Sequence, residues 1–427
     1  MKDQNANKQL IVLFLASFVI LFIGMGLFPI LPLFAARLGA TNTTIGIFFA
    51  VINASTAVGP MFAGLLAEKL GRKTLFIAVG ALGVPALLLL GQATALWQVI
   101  LLTSIVWFSG GLDLGLISIF TGLYATENSR GKSFTLMALA GPLGALVGGT
   151  TIGQLIEWQG YGLLFSALGI FWAILPILGI LVLQDTKESV PVASAPKIRT
   201  ETRRFGQTFY LLLVASLLSS LGINISRLGT SLSMQSLDFS AATIASSATV
   251  SGLISIPVAI LVGALSDRLG RRGFLMLGYL LAAGGTLVLS GADQLWQFWL
   301  AATLTMVAFS LTGAMGSALA TDLLSPGELN RGMSWFNTAS SAASVLSFAS
   351  SGYLLDMIGS QALYLLAATL PVIAASVFEL PPNLASLKQL RLGNKATHAP
   401  ESSAKINNKV CTANCKVRDR EYPNSNN

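Results

Sequence analysis

The sequence has little charge, two cysteines and one histidine, and these shortages exclude whole classes of protein. Charged residues make up 10% of the 427 residues, whereas soluble domains carry about 25%. Hydrophobic residues make up 53%, which is more than a soluble protein of this length can bury. The chain is therefore predicted to cross a membrane several times. Cys411 and Cys415 both lie in a polar C-terminal segment, which argues against a disulfide framework.

The same scarcity argues against metal sites and enzymatic chemistry. His398 is the only histidine, and Cys411 and Cys415 have no companion ligands. No nucleophile motif, phosphate-binding glycine loop or metal cluster is recognisable, so we expect no enzyme, no cofactor and no ATP-driven pump. The net charge is +8, but the basic residues form no single patch, so nucleic acid is not an expected partner.

What the sequence does contain is a series of long apolar stretches. About 20 apolar residues suffice for a helix to cross a bilayer, and these stretches lack the alternation of barrel strands. The twelve predicted spans are 9–35, 43–66, 74–93, 96–123, 132–156, 161–183, 208–233, 240–265, 273–291, 294–321, 333–355 and 360–380. All 26 lysines and arginines except Arg37 and Arg227 fall on the cytoplasmic side if the N-terminus is cytoplasmic, which fixes the predicted orientation.

The chain divides into two similar halves. The predicted parts are an N-terminal six-helix domain at 1–183, a cytoplasmic linker at 184–206, a C-terminal six-helix domain at 207–380 and a disordered cytoplasmic tail at 381–427. The halves align at a constant offset of 199 residues, which pairs Glu68 with Asp267 and Glu157 with Asp356. Such six-span repeats form transporters whose substrate site lies between the halves, near the bilayer midplane.

One charged decapeptide occurs in both halves, as GLLAEKLGRK from Gly64 and as GALSDRLGRR from Gly263. The first glycine of each copy is expected to permit close helix approach. The second glycine, Gly71 or Gly270, is expected to permit a left-handed turn at the helix end. The acid of each copy opposes the helix dipole, so it is expected to have a partner that it contacts in only one conformational state.

Both copies resemble the Gly-x-x-x-Asp-Arg-x-Gly-Arg-Arg signature of the major facilitator superfamily. The resemblance covers about 10–380 and implies twelve helices in two six-helix domains, with a signature contact that braces the cytoplasmic gate in the outward-facing state. The gating residues it implies are Gly64, Glu68, Gly71, Arg72, Gly263, Asp267, Arg268, Gly270 and Arg271. The first copy departs from the signature, because Glu68 and Lys69 replace Asp and Arg. The alternative interpretation is a plain topological anchor.

A second segment, GPLGALVGG from Gly141, resembles the Gly-Pro-x-x-Gly-Gly element of drug–proton antiporters in the same superfamily. Gly141, Pro142 and Gly144 carry the resemblance, which is partial because Ala145 and Leu146 stand where glycines are expected. The alternative interpretation is a face of small residues that packs against another helix.

Two charged residues lie well inside predicted spans. Ionisable groups in hydrocarbon are costly and usually mark a function. Because burial disfavours the charged form of a carboxyl group, Asp113 is predicted to be a proton-coupling residue, and a structural carboxylate bonded to a neighbouring helix is the alternative. Arg227, with Asn224 nearby, is predicted to contact substrate or a counter-ion, and reach of the Arg227 side chain to the headgroups is the alternative. A depth difference of about 15 Å argues against a direct Asp113–Arg227 ion pair.

These patterns predict a secondary active transporter in the cell membrane that works by alternating access. The expected activity is proton-coupled export of small hydrophobic or amphipathic compounds. A proton-coupled importer of a metabolite or sugar and a non-transporting receptor are the alternatives. The expected partners are the substrate, protons and the lipid bilayer, and the chain is expected to be a monomer.

Overall fold

The computed structural model describes residues 2–124, 130–183, 205–325 and 328–379, apart from some side chains within those ranges. The predicted tail and most of the predicted linker lie outside the described residues. The helices are α1 (Lys2–Leu27), α2 (Leu31–Arg37), α3 (Asn42–Leu70), α4 (Arg72–Leu90), α5 (Leu96–Tyr124), α6 (Arg130–Trp172), α7 (Ile174–Leu181), α8 (Gln207–Ser236), α9 (Ala241–Leu269), α10 (Arg271–Ser290), α11 (Leu295–Leu323) and α12 (Leu329–Glu379).

The described residues form helices without strands, and ten helical stretches are long and apolar enough to cross a membrane. Two of these are unusually long, with 49 residues in Ser133–Leu181 and 48 in Arg331–Phe378. Each contains one glycine with a non-helical backbone, Gly160 in α6 and Gly359 in α12. Between a third and a half of each span is buried, and large apolar side chains cover the rest of the surface, as lipid contact requires.

The first predicted span, 9–35, is broken, contrary to the prediction of one continuous helix. α1 ends at Leu27 and α2 begins at Leu31. Pro29 lies in the turn between them, and Pro32 lies in the first turn of α2. Proline lacks the N–H that helix continuation requires, and it is tolerated in the first helical turn.

The backbone repeats with the same offset as the sequence. Six described residues have positive φ, and they form three pairs 199 residues apart: Gly39 with Asp238, Gly71 with Gly270, and Gly160 with Gly359. The helix starts repeat as well, because the Thr41 hydroxyl accepts from the N–H of Thr44 and the Ser240 hydroxyl accepts from the N–H of Thr243. The halves are therefore similar in local geometry as well as in sequence.

Two long helix pairs join the halves. α6 of the first half packs along α9 of the second, and α12 of the second half packs along α3 of the first. The main apolar core fills the first half and extends to Leu228, Leu232 and Phe348 of the second.

Candidate substrate cavity and gating ends

A cavity of about 220 Å³ is lined mainly by residues of the first half and is bordered by Arg227 and Phe309 of the second. Its walls come from α1, α3, α5, α6, α8 and α11. Most of the lining is apolar or aromatic, including Trp107, Trp172 and Phe309. A smaller cavity beside it shares Met25, Phe28 and Arg227 with the first. Arg227 is therefore the charged residue at the junction of the two cavities.

The guanidinium group of Arg227 lies between two aromatic rings. Its central carbon is 4.2 Å from the ring centroid of Phe28 and 5.0 Å from that of Phe309. Within the described part of the chain, Arg227 makes no hydrogen bond and no ion pair. The Arg227 side chain thus lies between Phe28, in the turn after α1, and Phe309 of α11. The alternative interpretation requires it to extend to the headgroups instead.

Phe28 and Arg227 occupy equivalent positions of the two halves, because their numbers differ by 199. A contact between equivalent residues of two similar halves lies close to the axis that relates the halves. In transporters built from repeats, the substrate site lies at the interface between the repeats. The position of Arg227 therefore agrees with the region in which a substrate site is expected.

Asp113 lies in α5 and is fully buried, but it does not line either cavity, although Gly111 and Leu114 line the larger one. Neither carboxyl oxygen of Asp113 has a hydrogen-bond partner among the described residues, and no ion pair joins Asp113 to Arg227. The alternative interpretation was a structural carboxylate bonded to a neighbouring helix. Among the described residues, Asp113 makes no such bond. A buried carboxyl group without a partner is costly, and ionisable residues placed in this way inside a span usually mark a function.

Asn224 lies three residues before Arg227 in α8, but the two side chains contact different residues. Its side-chain amide donates to the carbonyl oxygen of Ser220 at 2.8 Å and to the hydroxyl of Ser344 at 3.1 Å. The second bond joins α8 to α12 within the second half. Asn224 lines neither of the two cavities and makes a packing contact, so its predicted role in substrate binding beside Arg227 stays a prediction.

Two acids join the halves at the end of the bundle where α3 and α9 begin. Glu157 accepts from the backbone N–H of Ala242 at 3.0 Å. Asp356 accepts from the backbone N–H of Thr43 at 3.1 Å and from the side chain of Asn42 at 2.8 Å. Each acid thus caps the first turn of a helix in the opposite half, where a negative charge is favourable. We call these five residues the latch.

Glycines bring the helix backbones into contact beside the latch. A Cβ atom at Gly352 of α12 would meet the carbonyl oxygen of Asn42 and would lie 3.0 Å from the Cα of Thr43. A Cβ at Gly153 of α6 would lie 2.7 Å from the Cα of Ala242. Small residues permit this approach, and the halves are closed against each other at the latch.

The family profile described as Major Facilitator Superfamily matches residues 13–226 and 212–407. The chain belongs to the major facilitator superfamily. It is therefore a multi-pass membrane protein of a transporter family, as its apolar helices and repeated halves predict.

Two curated relatives are named for drug resistance. The Quinolone resistance protein NorA of Staphylococcus aureus (strain MSSA476) is 27% identical over 225 residues, which cover 51% of this chain and 56% of that protein. The Multidrug resistance protein MdtG of Salmonella arizonae is 26% identical over 335 residues, which cover 74% of this chain and 79% of that protein. The match to NorA thus spans about half of that relative's length.

Solved structures of transporters share the fold. A mutant of the nucleoside transporter NupG aligns with a TM-score of 0.72 and 16% identity, covering 87% of this chain and 98% of that one. A mutant of the peptide transporter POT in complex with alafosfalin aligns with a TM-score of 0.69 and 14% identity, covering 88% and 98%. At this identity the likeness concerns the fold alone.

The two superfamily signatures lie at the other end of the bundle from the latch, where α3 and α9 end. Gly71 alone separates α3 from α4, with φ of 82°, and Gly270 alone separates α9 from α10, with φ of 95°. Only glycine adopts this conformation without strain, so each signature makes a one-residue turn between helices. Arg72 and Arg271 are the first residues of the helices that follow.

The signature acid of the first half has no partner among the described residues. Glu68 is exposed and makes no hydrogen bond or ion pair to the described residues. A Cβ at Gly64 would meet no atom within 4 Å among the described residues, so the close helix approach expected there is not seen in this conformation and stays a prediction. In the second copy, the surroundings of Gly263 and the side chains of Asp267 and Arg268 are not among the features that the structure describes.

The antiporter-like segment lies in α6, and its residues have different surroundings. A Cβ at Gly144 would lie 2.6 Å from the backbone of Leu21 in α1, whereas a Cβ at Gly141 would meet nothing within 4 Å. The carbonyl oxygen of Pro142 lies against Gly252 of α9. Gly144 and Pro142 therefore have the close helix contacts that the packing interpretation predicts, and Gly141 does not.

Sequence reasoning missed several site residues. Phe28 and Phe309 have no signal of their own, although the 199-residue offset between Phe28 and Arg227 was available. Asp322 was also missed: it forms an ion pair with Arg271 at 2.8 Å that joins α10 to α11 near the second signature. Because both partners are largely exposed, this pair contributes little to stability.

Proposed function

We propose that the chain is a proton-coupled exporter of small amphipathic compounds that works by alternating access of its two halves. The observation that carries the proposal is the pair of ionisable residues in the interior, Asp113 and Arg227, which make no hydrogen bond or ion pair to the described residues. Intramembrane charges of this kind mark substrate and proton pathways. The names of the relatives NorA and MdtG, a quinolone and a multidrug resistance protein, support export of drug-like compounds.

The proposal includes twelve membrane crossings with both termini in the cytoplasm. At about 1.5 Å per residue, a stretch of 48 or 49 residues is more than twice as long as the hydrocarbon core is thick. Each of the two long stretches would therefore cross twice, turning at Gly160 or Gly359. The distribution of lysine and arginine supports a cytoplasmic location for the signatures and an external location for the latch.

In this orientation, the structure represents a state that is closed on the outside. The latch would then join the halves at the external end, while Glu68 at the cytoplasmic end makes no hydrogen bond or ion pair to the described residues. Export then requires that the latch open and that the signature acids find partners as the cytoplasmic end closes. The alternating contacts at the two ends give the cycle its two states.

Import of a polar metabolite is the second candidate function. The observation that favours it is the fold likeness to a nucleoside transporter and a peptide transporter. An importer driven by protons moves substrate and protons in the same direction, whereas a proton-driven exporter moves them in opposite directions. The sign of the proton gradient that drives accumulation therefore separates the two functions.

The test uses the purified chain in liposomes with an imposed pH gradient and norfloxacin, a fluorescent quinolone, as the probe. An antiporter accumulates the probe when the lumen is acidic, in either orientation of the protein, because protons leave as the probe enters. Addition of the probe should also speed the loss of protons from the lumen. Accumulation driven by an alkaline lumen would instead support import, and no protein-dependent flux in either gradient would contradict both functions.

Protein-free liposomes are the first control, because a weak base accumulates passively in an acidic lumen. Liposomes with the Ser109→Ala variant are the second. Ser109 lies one turn before Asp113 and has an equally buried side-chain oxygen without a hydrogen-bond partner. This variant removes a polar atom but no titratable group, so it should transport like the wild type.

A further inference from the structure

Arg227 is a strong cation in a site that provides no anion. A guanidinium group stays charged in proteins, and it carries five N–H donors. None of these donors has an acceptor among the described residues, and no acid of the described chain lines either cavity. The ring faces of Phe28 and Phe309 offset part of the cost of removing the cation from water. They cannot accept the guanidinium N–H groups as a carboxylate does.

Most hydroxyl groups of the cavity walls have already used their donors. The hydroxyl groups of Thr56, Thr230, Ser247 and Ser251 each donate to a carbonyl oxygen of their own helix. Thr305 pairs with Ser226. The donors left besides Arg227 are uncharged groups of Ser231, Trp107 and Asn53, so the only charged donor that the described cavity walls offer a ligand is Arg227.

The rest of the lining of the larger cavity suits an aromatic ring of a ligand. Trp107, Phe28 and Phe309 give the larger cavity aromatic walls. A cavity of about 150 Å³ accommodates a benzene molecule, and the cavity here has about 220 Å³. A fused two-ring system is therefore close to the size that the cavity holds without any movement of the helices.

We propose that the cavity binds aromatic carboxylates, with the carboxylate on the guanidinium group of Arg227 and the ring against Phe28, Trp107 and Phe309. This inference rests on the proposed function, because it specifies the substrate class of the same cavity. A planar carboxylate matches the fork of N–H donors and forms two parallel hydrogen bonds with it. An exporter with such a site favours anionic and zwitterionic compounds over cations.

The test is equilibrium binding to the purified full-length chain in detergent, followed by tryptophan fluorescence or calorimetry. The probes are 2-naphthoate, 2-naphthalenemethanol and 2-naphthalenemethylamine, which share one ring and differ in charge. We expect naphthoate to bind about tenfold to a hundredfold more tightly than the alcohol, as a charge-assisted hydrogen bond in a buried site implies. The amine should bind more weakly than the alcohol. Acetate, which lacks the ring, should show no binding at the same concentrations.

Variants of Arg227 test whether this residue causes the preference for naphthoate. Arg227→Gln should reduce the preference for naphthoate over the alcohol to within about twofold, and Arg227→Lys should retain part of it, because lysine is a charge without the planar fork. Arg37→Gln is the matched control: Arg37 also lies over an aromatic ring, that of Tyr161 at 5.5 Å, but it is exposed and outside the cavity. This control should keep the full preference.

Equal binding of naphthoate and the alcohol to the wild type would overturn the inference, and so would a preference that survives in a folded Arg227→Gln protein. If that variant fails to fold, Arg227→Lys decides instead, because an undiminished preference in this variant would overturn the inference. The assay measures binding without a gradient, so its outcome does not depend on transport. Absence of proton-driven flux would instead count against the proposed function and leave the binding result intact.

Discussion

Replacing Asp113 with asparagine should abolish proton-driven accumulation of substrate and leave exchange of substrate across the membrane intact. The amide is close in size to the carboxyl group but cannot carry a proton through the cycle. One proton that crosses 100 mV supplies about 2.3 kcal/mol, which sustains a substrate gradient of about fiftyfold. The wild type should approach this gradient, and Asp113→Asn should end near equal concentrations on both sides.

The measurement compares net accumulation with counterflow in the same liposomes. Counterflow requires the two halves to alternate but requires no net proton movement, so it reports whether the variant is folded and able to cycle. The Ser109→Ala control should behave like the wild type in both assays. Undiminished proton-driven accumulation by Asp113→Asn would show that the proton site lies elsewhere.

Gly352→Val should open the latch end and reduce transport about fivefold or more. The Cβ of valine would meet the carbonyl oxygen of Asn42, which is backbone and has no flexible side chain to move aside. Overpacking of this kind typically costs about 1–3 kcal/mol, which lowers the ratio of the closed to the open state about fivefold to 150-fold. Because every cycle passes through that state, turnover should fall with its population.

Labelling by a membrane-impermeant thiol reagent checks the structural part of this prediction. A single cysteine at Thr43 should become accessible faster in the Gly352→Val background than in the wild-type background. Gly284→Val in α10 is the control, because a Cβ at Gly284 would meet no atom within 4 Å. Unchanged labelling and transport in Gly352→Val would show that close backbone contact at the latch is not required for the cycle.

The sequence was sufficient to predict features that depend on local geometry. The positive φ of Gly71 and Gly270 follows from a turn that leaves one residue between helices. The gaps predicted between 156 and 161 and between 355 and 360 coincide with the non-helical residues Gly160 and Gly359. Both depend on residues close together in the chain, where composition and turn chemistry carry the information.

Contacts between the halves could not be predicted in the same way. Asp356 lies 313 residues from Thr43 and was recognised only as the counterpart of Glu157. The partners of Glu157 and Asp356 depend on which helices meet in three dimensions and on which end of the bundle is closed. Gly64 and Gly144 look alike in the sequence, yet a Cβ at Gly144 would strike α1 and one at Gly64 would meet open space. A glycine in the sequence indicates that two helices can approach closely at that position. Whether they do so depends on the conformational state.

Reversible cross-linking of the latch tests the central claim most directly, that transport requires the two halves to separate at this end. Asn42→Cys and Asp356→Cys, whose native side chains are 2.8 Å apart, would be joined by a short reducible cross-linker with Cys411 and Cys415 replaced by serine. A cross-link between Thr94→Cys and Gln98→Cys, within one half, is the control. We predict that the latch cross-link stops transport, that reduction restores it and that the control cross-link has no effect. Full transport with the latch cross-linked would contradict alternating access in this protein.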